Sequence, residues 1–293
     1  MPERPAICDY EGSDYQERFW DQGGRAYEDG AEAIALGRML PAGGERMLEV
    51  GAGAGRNTER YEGFGEVTLL DYSRTQLEQA RRRLGDSQHY RFVVADVYRM
   101  PFAAGVFDAA TMIRTLHHMQ DPAAALRSVR EVLTSGAFFL LEYANKRNLK
   151  AIGRWLVRRQ SWSPFDRNPV EFARLNYDFH PAAVRTWLGE ARFHVKQEIP
   201  VSHLRIAWLK RLLPQSALLA LERPLQRLGR AWLYTPSVFV AARAGGSPQP
   251  PLPFAWRCPS CGAEAMTEAA DGVHCGSCRR TWPKRDGIYE FRL

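Results

Sequence analysis

Two groups of residues have the types and spacing to do chemistry. The first is Glu49-Val50-Gly51-Ala52-Gly53-Ala54-Gly55-Arg56. The apolar run 47–50 reads as a short buried strand, and three glycines at alternating positions follow. Glycine tolerates positive φ, and without a Cβ the backbone can approach a ligand closely. A strand turning through glycine into a helix, whose free N–H groups face the turn, suits a nucleotide-like ligand. The second group is Cys258-Pro-Ser-Cys261 and Cys275-Gly-Ser-Cys278, two C-x-x-C knuckles separated by thirteen residues. Four thiolates around one centre suit Zn²⁺ at about 2.3 Å per bond, with no open position for substrate, so the metal is expected to be structural. Two disulfides or a four-thiolate iron centre are the alternatives. No secretory feature favours the disulfides. Cys8 stands alone.

The elements that position these residues follow an alternating pattern. Strands are expected near 46–50, 66–71, 90–96, 107–113 and 137–142, with helices near 57–63, 74–84 and 121–133. Ser73 reads as an N-cap, with Gln76 placed as the far member of a capping box. This alternation predicts a parallel sheet wrapped by helices. Asp71 and Asp96 then end the second and third strands, where an open α/β sheet places its ligand. Further on, helices are expected over 145–162, 182–190 and 204–232, the last interrupted by Pro214 and bent near Pro224, with strands over 193–201 and 237–242. The segment 1–40, with Phe19, Trp20 and Tyr27, reads as a helical preface.

Glu49-x-Gly51-x-Gly53-x-Gly55 resembles the E/D-x-G-x-G-x-G signature of class I S-adenosylmethionine-dependent methyltransferases. Met100-Pro101-Phe102, Phe107-Asp108 and Leu116-His117-His118 resemble the run found in the branch with quinone-biosynthesis and tRNA-modifying enzymes. The resemblance covers 40–145 closely and 180–243 loosely. Thr134-Ser135-Gly136, expected as the turn into the fifth strand, departs from the usual Pro-Gly-Gly. The fold implied is α/β: a seven-stranded Rossmann-like methyltransferase sheet with helices on both faces, plus a small C-terminal zinc ribbon. The implied cofactor is S-adenosyl-L-methionine. Its contacts would come from Glu49, Gly51, Ala52, Gly53, Gly55, Arg56 and Arg114, with Asp71 on the ribose, Asp96 on the adenine amino group, and Tyr72 and Val97 on the ring faces. His117 and His118, after the fourth strand, are candidate bases for an acceptor that must lose a proton; the reading of each as a structural residue of the loop stands ahead of that. No Asn/Asp-Pro-Pro-Tyr motif follows that strand, which disfavours exocyclic or amide nitrogens as acceptors.

The tail Trp282-Pro283 with Asp286-Gly287-Ile288 resembles the close of a small zinc-binding family that includes the activator subunit shared by several tRNA, rRNA and release-factor methyltransferases. Tyr289 stands where that family has proline. The resemblance implies an activator-like module in cis, packed on the methyltransferase domain. The expected division is 1–244 for that domain (1–40 a lid, 146–235 a basic helical substrate region with late strands), 245–253 a Pro/Gly linker, and 254–293 the four-cysteine zinc ribbon.

At 293 residues, 45% hydrophobic and 25% charged, the chain reads as soluble and globular. No apolar run approaches the roughly 18 residues of a membrane span, and the N-terminus has no signal-peptide pattern, so a cytoplasmic location is expected. Net charge is +7, and 146–230 holds 17 Lys/Arg against 6 Asp/Glu. That surplus suits an anionic partner such as RNA, a membrane surface or a phosphorylated substrate. A small, lipid-like acceptor is the other expectation, and a non-catalytic scaffold the reading outside enzymology.

Overall fold

The computed structural model describes residues 5–8, 11–12, 24–229 and 232–293. Phe19 and Trp20 of the expected preface lie outside the described residues. Helix α1 (Ala26–Met39) leads into β1 (Gly44–Val50), followed by β2 (Phe64–Asp71), α2 (Arg74–Leu84), β3 (Tyr90–Val94), β4 (Phe107–Met112), α3 (Pro122–Val132) and β5 (Leu133–Ala144). The second half contains α4 (Leu149–Leu156), a small hairpin β6 (Val170–Ala173) and β7 (Asn176–Asp178), α5 (Pro181–Glu190) and β8 (Phe193–Val201). Helices α6 (Ala207–Leu212) and α7 (Gln215–Leu228) precede β9 (Ser237–Ala244). The tail adds β10 (Met266–Ala269), β11 (Gly272–Cys275), β12 (Thr281–Arg285) and β13 (Ile288–Glu290).

The principal sheet has eleven strands, not the seven expected, in the order β10-β11-β12-β13-β3-β2-β1-β4-β5-β9-β8. The seven from β3 to β8 come from the first 244 residues. The added four arise because β13 pairs in parallel with β3, placing Ile288 beside Phe92 and Glu290 beside Val94. An edge strand leaves backbone N–H and C=O groups unpaired, and the tail satisfies them. β1 to β5 run parallel, while β9 is antiparallel to β5 and β8 to β9.

Alternate residues of each strand feed two cores, as the period of two requires. Leu48 and Leu70 join the cluster under α3 and α5, which continues into Trp256 and Trp282 of the tail. Met47 and Leu69 join the cluster under α1, α2 and α7.

Two local expectations, over 57–63 and 134–136, differ in the structure. The helix over 57–63 is a single 3₁₀ turn at Thr58–Tyr61. Gly63 then faces Ala42, whose carbonyl oxygen would lie 2.0 Å from an added Cβ, so the chain must turn directly into β2. The helical region over 204–232 is interrupted at Pro214 as expected, giving α6 and α7, and Pro224 sits inside α7. The turn at 134–136 is already strand. Segment 245–253 lies along it: the Gln249 N–H donates to the Ser135 carbonyl at 3.0 Å, and Pro248 occupies the space where Gly136 lacks a Cβ.

Candidate functional site

Strand order reverses between β1 and β4, and ligands of open α/β sheets bind beyond the strand ends at such a switch point. A pocket lies there. Its wall includes Glu49, Gly51, Ala52, Gly53, Arg56, Asp71, Tyr72, Val97, Arg114 and His118. Gly55, Asp96 and His117 of the expected set do not line it.

The three glycines have different tasks. Gly51 and Gly53 both take positive φ, 69° and 54°, which suits glycine over other residues. A Cβ at Gly51 would lie 2.1 Å from the Thr115 hydroxyl, so this glycine serves packing. At Gly53 an added Cβ would meet nothing nearer than Gln76 Oε1 at 3.9 Å, so it is the open floor of the cradle. Gly55 instead packs under α2, near Ala80 and Leu84.

Asp71 ends β2 and ties the loop together. Its Oδ2 accepts the Gly53 N–H at 2.8 Å and its Oδ1 the Ser73 N–H at 2.9 Å. Ser73 in turn caps α2, accepting from the Gln76 N–H at 3.3 Å. Asp96 caps the 3₁₀ turn that follows β3, accepting from the Tyr98 N–H at 2.8 Å, which leaves the neighbouring Val97 facing the pocket.

Helix α1 supplies the counter-charge of two residues that line the pocket. Glu32, fully buried, sits between Arg56 (2.6 Å) and the Arg114 guanidinium (Nε at 2.7 Å), and Arg56 also pairs with Asp29. Burial pushes the Glu32 carboxyl up, but the two guanidiniums outweigh it and hold it below its ordinary value. Arg114 has φ 57°, uncommon for a residue with a Cβ. Its N–H donates to Glu142 at 2.9 Å, which helps hold that conformation. The pairing of α1 with Arg56 and Arg114 had no signal in residue spacing, because Glu32 lies 24 residues from the first and 82 from the second.

Glu49 is buried beneath the loop. Its Oε2 accepts from the Thr58 hydroxyl at 2.5 Å, and burial pushes its carboxyl up to about 7. The two histidines diverge. His118 lines the pocket, and its Nδ1 lies 3.1 Å from the Leu175 carbonyl oxygen, so Nδ1 carries the proton and Nε2 the lone pair. Burial lowers its pKa, which keeps it neutral at pH 7. The His117 ring lies tilted beside it, with centroids 4.0 Å apart, and its buried Nδ1 has no hydrogen-bond partner among the described residues. Tyr98 and Met119 also line the pocket and escaped the sequence reading. So did Ile7 and Cys8, which place the N-terminal segment at its mouth.

The tail reaches this region from the other side. Arg292 pairs with Glu11 at 2.8 Å and lies 5.8 Å from the Tyr72 ring centre. Glu11 also accepts the N–H groups of Arg74 and Thr75 at the start of α2, at 3.0 and 3.1 Å.

The cysteines converge. Their four sulfurs lie within 4.8 Å of one another, with Cys258–Cys278 at 3.7 Å and Cys261–Cys275 at 3.6 Å. A tetrahedron with bonds of about 2.3 Å has S···S edges of about 3.8 Å, whereas a disulfide needs about 2.05 Å.

Comparison with known proteins gives a consistent picture. Residues 48–141 match the model of a family described as methyltransferase domain. Demethylmenaquinone methyltransferase of Clavibacter sepedonicus is 30% identical over 147 residues, 50% of this chain and 51% of the relative. The O-methyltransferase cnsE of Penicillium expansum is 36% identical over 107 residues, 34% of this chain and 38% of the relative. The chain thus spans about half or less of the length of these curated relatives. Among solved structures, a chain from the complex between the Haloferax volcanii Trm112 methyltransferase activator and a methyltransferase superposes with TM-score 0.54 at 18% identity, covering 77% of this chain and 94% of that one. An S-adenosylmethionine-dependent methyltransferase from Mesorhizobium loti gives TM-score 0.51 at 20% identity, covering 74% and 99%. The chain has the Rossmann-like methyltransferase fold, and its residues 48–141 are similar in sequence to a methyltransferase domain.

Proposed function

We propose that the chain is an S-adenosylmethionine-dependent methyltransferase acting on a small, apolar acceptor of the quinone or phenol class. The observation that carries the cofactor assignment is the open floor at Gly53 with Asp71 fixed beside it at the switch point. Asp71 would hold the ribose hydroxyls, and Tyr72 and Val97 the adenine faces. Glu49 would face the amino group of the methionine part. The cofactor, when bound, supplies an electrophilic methyl group on a sulfonium. For an acceptor with a hydroxyl or acidic carbon, the leaving proton passes to His118 Nε2. The relatives' names, a demethylmenaquinone methyltransferase and an O-methyltransferase, support this acceptor class.

Residues 1–244 would form the catalytic domain, with α1 and the N-terminal segment as its lid. Residues 254–293 would act as an activator-like module in cis, held by a structural Zn²⁺ on Cys258, Cys261, Cys275 and Cys278. The sulfur spacing and the β13–β3 pairing support this, as does the solved neighbour's assembly with an activator. A cytoplasmic location is part of the same proposal and rests on the composition of the chain. Among the described residues no helix is long and apolar enough to cross a membrane.

Methyl-labelled cofactor incubated with the protein and cell extract, RNase-treated or not, tests this reading. Label should enter the organic extract, indifferent to RNase, and His118→Ala should slow it about a hundredfold or more. Label in RNA would replace the acceptor class, and label nowhere would remove the methyltransferase assignment.

Glu49 gives a pH signature. The folded protein holds its proton up to about 7, above the ordinary 4.5, so the folded state binds more protons than the unfolded between these values. Stability therefore falls as pH rises through that window. Docking of a cationic amine requires the ionised form, so cofactor affinity should rise about tenfold per pH unit up to about 7 and then level. Glu49→Gln should flatten that slope in calorimetry. A slope unchanged by the substitution assigns the titration elsewhere.

A further inference from the structure

Helices α6 and α7 are built inside out. Along α7, Leu218, Glu222 and Gln226 share one face, four residues apart, and all are buried. Glu222 is satisfied there by the Tyr27 hydroxyl at 2.6 Å and the Ser202 N–H at 2.8 Å. The flank beside that face carries Leu221 and Leu228, seven residues apart, with Leu228 78% exposed. On α6, Leu209 packs on the same cluster as Leu218 and Leu219, while Trp208 (63%) and Leu212 (71%) stand in solvent. A polar network inward and large apolar side chains outward reverse the usual arrangement of a surface helix.

The charge around this face is one-sided. Residues 204–232 contain six Lys/Arg and a single acid, Glu222, which is buried. Arg211, Arg223 and Arg227 are exposed and have no carboxylate partner among the described residues. Arg223 and Arg227 line a groove between α1 and α7, beside Ile34 and Leu228. Tryptophan and leucine on one surface, bordered by unpaired arginines, match the boundary between headgroups and acyl chains of an anionic bilayer. Nucleic acid is matched less well, because its bases call for stacking aromatics and the exposed groups here are mostly aliphatic. A second copy of this face would bring like charge against like.

We propose that the α6–α7 face docks the protein on an anionic lipid surface. Both helices pack with β8 and α1 on one core, so docking would bring α1, the helix whose Glu32 pairs with Arg56 and Arg114, close to the membrane.

Flotation of the full chain with phosphatidylcholine vesicles, with and without phosphatidylglycerol, tests it. The protein should float with the anionic vesicles and not with the neutral ones. Trp208→Glu with Leu212→Glu should weaken binding about a hundredfold, and Arg223→Glu with Arg227→Glu about tenfold or more. All four side chains are exposed, so unchanged thermal unfolding serves as the control for folding. Failure to float, equal flotation with neutral vesicles, or binding indifferent to both pairs of substitutions overturns the proposal. So does a dimer that the Trp208→Glu variant dissolves, or RNA binding in place of vesicle binding.

Discussion

Asp71→Ala should lower the affinity for S-adenosylhomocysteine about a hundredfold or more in titration calorimetry. Each hydrogen bond to a charged acceptor contributes about 1.5–3 kcal/mol, and two ribose hydroxyls share this carboxylate in the proposed site. Losing both removes about 3 kcal/mol or more, which is at least two decades in affinity. A second effect adds to this, because the same carboxylate fixes the Gly53 and Ser73 N–H groups at 2.8 and 2.9 Å. Those donors lie beside the pocket, where water can replace the lost acceptor, so the cost in stability is small, about 2–4 °C in Tm. Asp71→Asn keeps an acceptor oxygen but loses the charge, and its affinity should fall between the two. Unchanged binding by Asp71→Ala would remove Asp71 from the site.

The parts of this site legible in sequence were those carried by backbone necessity. Gly51 and Gly53 need positive φ, and that need shows in residue type alone. Strand-end aspartates were readable because parallel strands alternate with helices at regular spacing. What did not show depended on contacts between distant segments. Glu32 reads in sequence as one more acid on a helix, yet it is the buried counter-charge of Arg56 and Arg114. His117 and His118 are adjacent and chemically identical. Only the backbone after β4 decides that His118 faces the pocket and His117 does not. The widened sheet was hidden for a similar reason. β13 is three residues long, too short for a periodicity signal, and its strand character comes from the edge of β3. Tyr289, where the resembling family has proline, is accounted for by this packing. It pairs with Val93, its ring lies 4.9 Å from Trp256, and its hydroxyl accepts from Lys284 at 2.7 Å.

Removal of the proposed zinc should unfold more than the tail. The ribbon is too small to fold on apolar burial alone, and structural zinc contributes about 10–16 kcal/mol in zinc-finger peptides. That matches or exceeds the roughly 5–15 kcal/mol that holds a typical domain together. Here the ribbon shares its core with the larger domain. Trp256 stacks on Phe102 at 5.7 Å and lies 4.9 Å from Phe291, and all three are buried. The Ala103 N–H donates to Ala255, and the Arg257 N–H to Pro101, at 3.0 and 2.9 Å. Arg74, at the start of α2, pairs with Glu290 and Asp286. Loss of the ribbon would therefore expose Phe102 and free the edge of β3, which invites aggregation through strand pairing. The expected result is one zinc per chain by metal analysis, and a single unfolding transition that shifts down by about 10 °C or more with chelator. Cys258→Ser should give the same shift without chelator. A visible absorption band would identify iron instead, and sensitivity to reductant but not chelator would identify disulfides. A metal-free tail that stays folded, with Tm unchanged, would show that the aromatic contacts with Phe102 hold the ribbon without help. The module would then be an extension of the hydrophobic core and not a zinc-dependent activator.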